Sequence, residues 1–348
     1  MENKTKNLMN KITELLLKSK IRFFAIVFCL FGSIAMLSSW GTFGHEHINH
    51  SAVLALPKPL QLFFYNHIDF ITQESTVPDL RKYTLKDKAE KPRHFIDLEN
   101  FGIMDSIPKS APAAFKKYDA AFIANNGSLP WYIQEMMQKL TTAFKEKRKT
   151  EILFLAADLG HYIGDATMPL HTSTNHNGQL TDQKGIHSLW EAQIPEMFGD
   201  NYHFNVENAR YIDNVEQETW HIISQTHQLL DTVLLADKKL RNTMDKDNIF
   251  VKDAQGKTAK NKFNDLIFSK EYVQKLNVSL NGMVENQMKK AIQSTADFWY
   301  TAWVNAGKPD LSDLDTKELT QSNQKKLKQE LKVWSKGKLI GVKNEKEF

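Results

Sequence analysis

The sequence has one cysteine in 348 residues, Cys29. It lies in an amino-terminal leader, and Val27-Phe28 before it lacks the small residues expected at a lipid-attachment site. A chain trimmed of that leader has no disulfide, so core packing, bound metal or both must hold it together. An excess of one charge is missing as well. The formal net charge of +4 is carried by the first 39 residues, with six basic and two acidic side chains, and the remainder is neutral. The high isoelectric point is therefore no argument for nucleic-acid binding, which would show as a basic face on the folded domain. There is no internal repeat, no series of alternating strands and no phosphate-binding loop: Gly256-Lys257-Thr258 has Val251 where that loop needs its first glycine.

The leader has a basic beginning, an apolar run from Phe23 to Leu37 and a small-residue end at Ser38-Ser39. The run is too short for a comfortable membrane span, so it reads as a cleaved export signal. Cleavage after Ser39 would make Trp40 the first residue of an exported protein, secreted, periplasmic or extracellular.

Helical periodicity dominates the rest and predicts an all-α, single multi-helix domain. Helical stretches are expected at 60–74, 113–125, 131–145, 149–168, 215–240 and 270–304, with loops at 171–185 and 242–264. The division is a signal peptide at 1–39, a catalytic domain at 40–312 and a basic tail at 313–348. From Asn323 the tail has eight lysines against three glutamates, with Leu327, Leu331 and Trp334 at helical spacing. It reads as a solvated helix packed by a few apolar residues, with weak membrane-surface contact as the alternative.

The most informative stretch is L-G-H-Y-I-G-D-A-T-M-P-L-H. It places His161 and Asp165 four apart on an apolar helix that Pro169 closes before His171. Residues at that spacing share a helix face, and an ionisable pair in so apolar a setting needs a partner. Either a satisfied core hydrogen bond or a metal would serve. G-I-H-S-L-W-E repeats the spacing with His187 and Glu191, which makes coincidence harder to sustain. Asp79 and His94 each stand beside a proline in V-P-D-L and P-R-H-F; each is a cap, a surface residue or a ligand.

Residues 40–50, W-G-T-F-G-H-E-H-I-N-H, invite comparison with a metalloprotease helix, but Asn49 occupies the second histidine position and His50 falls one residue late. The better reading pairs His45 with a new amino terminus at Trp40. An α-amino group has a pKa near 8 and can bind metal near neutral pH, and its own carbonyl closes the chelate.

Taken in order, W-G-x-x-G-H, P-D, R-H-F, G-H-x-x-x-D-A-x-x-P-L-H and G-I-H-x-x-W-E resemble the superfamily of zinc-dependent phospholipases C and single-strand-specific zinc nucleases. The resemblance covers most of Trp40 to about Gly307. It implies an all-α fold holding three zinc ions. One would sit on Asp79, His94, His161 and Asp165, and a second on His171, His187 and Glu191. A third would sit on the Trp40 amine and carbonyl with His45, bridged by Asp165. Asp79 would also help orient the attacking water.

Glutamate at 191 follows the phospholipase pattern, whereas the Trp40-to-His45 spacing follows the nucleases. Nothing in the sequence up to Phe348 reads as the β-rich carboxyl-terminal lipid-binding domain that some phospholipases carry. With a neutral mature chain, the balance leans to a phospholipase C-like phosphodiesterase acting on phospholipid. The alternatives are a single-strand-specific nuclease or nucleotidase, and an inactive zinc-binding protein. No obligate protein partner is evident. Phe43, Tyr83 and Trp190 are candidates for stacking bases, and Arg81, Lys82 and Arg93 for meeting phosphate. Asp97 and Glu99 are candidates for orienting ligand imidazoles. The other histidines, at 47, 50, 67, 176, 203, 221 and 227, read as structural or exposed, with His176, which shares a loop with His171, as the candidate exception. Asn49, Asn126 and Asn277 begin glycosylation sequons.

Overall fold

The computed structural model describes residues 40–342 and Phe348, so the expected leader, with Cys29 and the expected cut after Ser39, lies outside the described residues. The chain is all-α. The helices of seven residues or more are α1 (Gly41–Leu54), α2 (Lys58–Tyr65), α3 (Ile68–Glu74), α4 (Val77–Tyr83), α5 (Ala111–Lys117), α6 (Ala120–Asn126) and α7 (Leu129–Lys145). After them come α8 (Lys149–Ala166), α9 (Val215–His227), α10 (Leu230–Thr243), α11 (Lys270–Ser279), α12 (Met283–Asn305) and α13 (Lys317–Trp334). None of them is long and apolar enough to cross a membrane. Extended structure among the described residues is limited to isolated antiparallel bridges, three of them within 250–268.

Helix α8 is central. It packs on α1, α3, α7 and α12, and twelve of its eighteen residues are buried, as expected of a helix apolar on nearly every side. Two apolar clusters make up the core, and α1 crosses between them: Phe43 and Ile48 belong to one, Ala52 to Leu54 to the other. The chain leaving α8 makes the reverse crossing, from Ala166 to Met168 and Leu170. His45 and the His161–Asp165 pair lie near these crossings, so the polar site is built where the two cores adjoin.

Four of the expected helices are interrupted. The 60–74 stretch breaks at Asn66-His67, whose side chains bond Asp315 at 2.9 Å each. The 113–125 stretch restarts at Asp119, whose carboxylate caps α6 by accepting from Phe122 N at 2.8 Å. The 270–304 stretch turns at Asn281-Gly282, both with positive φ, and the 215–240 stretch turns at Gln228-Leu229. The tail helix α13 packs on α2 and buries Glu330, which accepts from Tyr65 Oη at 2.7 Å and lies 2.6 Å from His50 Nε2.

Candidate metal centre

Five of the predicted ligands converge in one buried cluster: His45 from α1, Asp79 from α4, His94 from the 3₁₀ turn Lys91–His94, and His161 and Asp165 from α8. Each is 2% exposed or less. Asp165 Oδ2 lies 3.0 Å from His94 Nδ1 and 3.3 Å from His161 Nε2. Its Oδ1 faces the other way, 3.7 Å from His45 Nε2 and 3.5 Å from His171 Nδ1. Asp79 Oδ1 is 3.6 Å from His94 Nδ1. The groups expected as separate first and third sites thus run together: His45, Asp79 and His161 form one ligand set, and His94, His161 and Asp165 a second that shares His161.

Two glycines make the convergence possible. A Cβ on Gly160 would lie 2.0 Å from Asn49 Oδ1, and one on Gly164 would lie 3.2 Å from the His45 ring. Their absence lets α1 sit directly on α8, with His45 stacked on His161 at 3.9 Å between centroids. Asn49 fixes that contact by donating to Ala157 O at 3.0 Å and Ile71 O at 3.3 Å.

His171, His187 and Glu191 form the third set. Pro169 begins the short 3₁₀ turn Pro169–Thr172 that carries His171. His187 and Glu191 lie on consecutive turns of one helical stretch, whose Leu189–Gln193 portion is wound as a π-helix. His187 Nε2 stands 3.2 Å from Glu191 Oε2 and 3.3 Å from His171 Nε2. Trp40 joins here: its backbone nitrogen donates to Glu191 Oε2 at 3.0 Å and its indole to Gly164 O at 2.6 Å.

The donor chemistry fits a metal. Within each set the ligand atoms lie within 4.8 Å of one another, and imidazole nitrogens face each other as well as carboxylates. Lone pairs turned inward at such distances need a cation or a proton between them. The second ring nitrogens are oriented from outside, as ligand histidines require: His161 Nδ1 by Ser75 O at 2.7 Å, His187 Nδ1 by His176 O at 2.9 Å, and His94 Nε2 by Glu90 Oε1 at 3.3 Å. Burial opposes ionisation of Asp165, yet His161 and His171 hold its carboxyl well below the usual range. Burial likewise opposes the Glu191 charge, and His187 and His171 bring its pKa to about 2.

Several of the other predicted residues play different parts. Glu99, expected to orient a ligand imidazole, instead accepts from Ser173 Oγ and from Thr174 N at 3.2 Å. The residue with that function is Glu90, fully buried. It holds His94, Arg81 (3.1 Å), Arg93 (2.9 Å) and the Tyr162 hydroxyl. Its signal in the sequence is E-K-P-R-H, a carboxylate four residues before a ligand. Arg81 and Arg93 are thereby engaged in the scaffold, Arg81 also reaching Asp158 at 2.6 Å. Lys82 pairs with Asp79 at 3.0 Å. Phe43 and Trp190 are buried, Phe43 stacked on His47 and Trp190 edge-on to Trp40, so neither ring can meet a base.

A cleft of about 600 Å³ opens onto the centre. His94, His171, His187 and Glu191 line it, and Lys82, Tyr83, Lys91, Phe95, Asp97 and Asp265 form much of its wall. Exposed His176 stands at the rim, its ring edge-on to His187.

No curated protein matches the chain. Residues 40–291, by contrast, match the S1/P1 nuclease family, whose members are all-α and zinc-dependent and belong to the phospholipase C/P1 nuclease superfamily. The match begins at Trp40 and spans all nine candidate ligands. The chain belongs to the S1/P1 nuclease family, and is a hydrolase acting on phosphodiester bonds.

Proposed function

We propose that the protein is an exported, zinc-dependent nuclease that cleaves single-stranded nucleic acid. The family match over 40–291 carries this reading. It favours the nuclease alternative over the phospholipase C lean, which rested on Glu191 and on the neutral mature chain. The cleft wall supports it: Tyr83 and Phe95, both partly exposed, offer rings for bases, and exposed Lys91 offers a cation for phosphates. Stacking on partly exposed aromatics beside a cation suits an unpaired strand.

Three zinc ions are proposed on Trp40, His45, Asp79, His94, His161, Asp165, His171, His187 and Glu191. Zinc bound there would polarise a water and neutralise charge developing on phosphoryl oxygens. The chain's own residues do the rest. Asp165 fixes the spacing of the ligand sets through its two oppositely directed oxygens, and Glu90 and Ser75 O hold His94 and His161 in one orientation. Asp79, held by Lys82 at 3.0 Å, orients the attacking water. The position of the Trp40 nitrogen against Glu191 supports a free amine at that point, created when the leader is removed after Ser39.

The test uses purified mature protein on single-stranded DNA and RNA, duplex DNA and phosphatidylcholine micelles. Single-stranded substrates are expected to be cut, with loss on chelation and recovery on adding zinc. Turnover of phosphatidylcholine alone would restore the phospholipase reading, and no turnover of any substrate would leave a zinc-binding protein. Amino-terminal sequencing of the exported form is expected to begin at Trp40.

A further inference from the structure

One wall of the cleft comes from an element that supplies no ligand. Residues 250–268 form an arm with three antiparallel pairings: Phe250 with Phe268, Lys252 with Thr258 and Lys260 with Leu266. Its root is fixed firmly. Gln193, on the helical stretch that carries Glu191, donates to Phe268 O at 2.7 Å and accepts from Phe268 N at 3.1 Å. The Phe268 ring packs on Phe250 at 4.7 Å and Tyr272 at 5.2 Å, under the Arg241 guanidinium at 5.5 Å. Three residues before this anchor, Asp265 lines the cleft beside His187 and Glu191. Its backbone nitrogen donates to Asn261 Oδ1 at 3.0 Å, which sets the turn that presents it.

A carboxylate at this place is hard to explain by phosphate chemistry alone. It repels a phosphodiester, and its charge is favoured by His187, locally by the Asn261 side chain and from a distance by Lys260, with no lysine or arginine of the described residues in an ion pair with it. An ionised carboxylate only accepts hydrogen bonds. The parts of a strand that gain from it are therefore neutral N–H and O–H donors. Cytosine, adenine and guanine carry an exocyclic amine, thymine carries none, and ribose adds a 2′-hydroxyl that deoxyribose lacks. The fixed root places the acceptor before substrate arrives, which lowers the cost of using it.

We propose that Asp265 is a specificity-determining residue that accepts a hydrogen bond from a substrate donor, a base amine or a sugar hydroxyl, as the strand lies in the cleft. This rests on the nuclease reading above. The experiment compares wild type with Asp265→Ala and Asp265→Asn by kcat/KM on oligo-dC, oligo-dA, oligo-dT, oligo-dU and oligo-rU, with zinc content and melting temperature measured alongside. If a base amine is read, the preference for dC and dA over dT falls about ten-fold in Asp265→Ala. If a hydroxyl is read, the rU-to-dU ratio falls by a similar factor instead. Zinc per chain stays at the wild-type value in either case. Both ratios unmoved in a zinc-loaded, folded variant would overturn the proposal and leave the nuclease reading standing. Loss of zinc would overturn it too, by making Asp265 a ligand. A wild-type protein that cuts none of the oligonucleotides would remove the nuclease reading, and the proposal with it.

Discussion

The five-residue cluster around Asp165 and the His171–His187–Glu191 set use the same donor types and are built differently. The first is deep: every member is 2% exposed or less, and its geometry comes from α1 lying on α8 across Gly160 and Gly164. The second is shallow: the His187 side chain is 21% exposed, and the set hangs on a 3₁₀ turn and a π-wound segment beside the cleft. Depth follows from the kind of element that carries the ligands. Helix packing gives rigidity and ties the deep cluster to the stability of the whole domain. Irregular backbone gives access and ties the shallow set to substrate.

Asp165 joins the two, so its loss is expected to have the largest effect. Asp165→Ala should lower kcat roughly a thousand-fold or more and reduce zinc in both groups, as elemental analysis would register. Full zinc with high activity would dissolve the link between the regions. His187→Ala should be more selective, with activity down about 100-fold, zinc lost from the shallow set alone and the apo-protein melting temperature nearly unchanged. Loss of all zinc in that variant would mean that the two regions are one cooperative site.

Gly160→Ala probes the deep region without touching a ligand. The added Cβ must displace Asn49, so a cost of about 2–3 kcal/mol, or roughly 5–10 °C in Tm, is expected. A Tm within a degree of wild type would show that α1 has slack over α8. The smallest effect is expected at the cleft wall. Burial, then Glu99, raises the Asp97 pKa to about 6, above its unfolded value near 4. The folded state thus holds the proton more tightly, and this contribution is present at pH 4 and lost as pH rises through 6. Asp97→Asn should therefore raise Tm at pH 8 by the equivalent of about 1 kcal/mol, after discounting for solvent screening, and change little at pH 4. A gain at pH 4 equal to that at pH 8 would place its origin elsewhere.

Much of this was legible in the sequence because two of the candidate ligand pairs, one in each region, are local in pattern. His161 and Asp165 announce themselves by one helical turn of spacing, and His187 and Glu191 do the same. What was not legible arises from long-range contacts. No turn signal marks the break at Asn66-His67, because Asp315, some 250 positions away, accepts from both side chains. Asn281-Gly282 is a turn signal, but the apolar spacing on either side masked it. Glu90 has only its four-residue spacing from His94 to mark it, because Arg81, Arg93 and Tyr162 reach it from three elements, and the π-winding at Glu191 leaves no trace in periodicity. The buried stacking candidates Phe43 and Trp190 failed for a related reason: ring type says nothing of which face of a helix meets solvent.

The wedge of Asn49 between α1 and α8 also bears on how the protein can be made. Asn49-His50-Ser51 is an acceptor for oligosaccharide transfer, yet the folded chain hides the amide completely, with its nitrogen spent on Ala157 and Ile71. A eukaryotic secretory host that attaches sugar there during translocation would yield molecules unable to close α1 onto α8. Those molecules would lose His45 from the centre, so yield from such a host should rise when Ser51 is replaced by alanine.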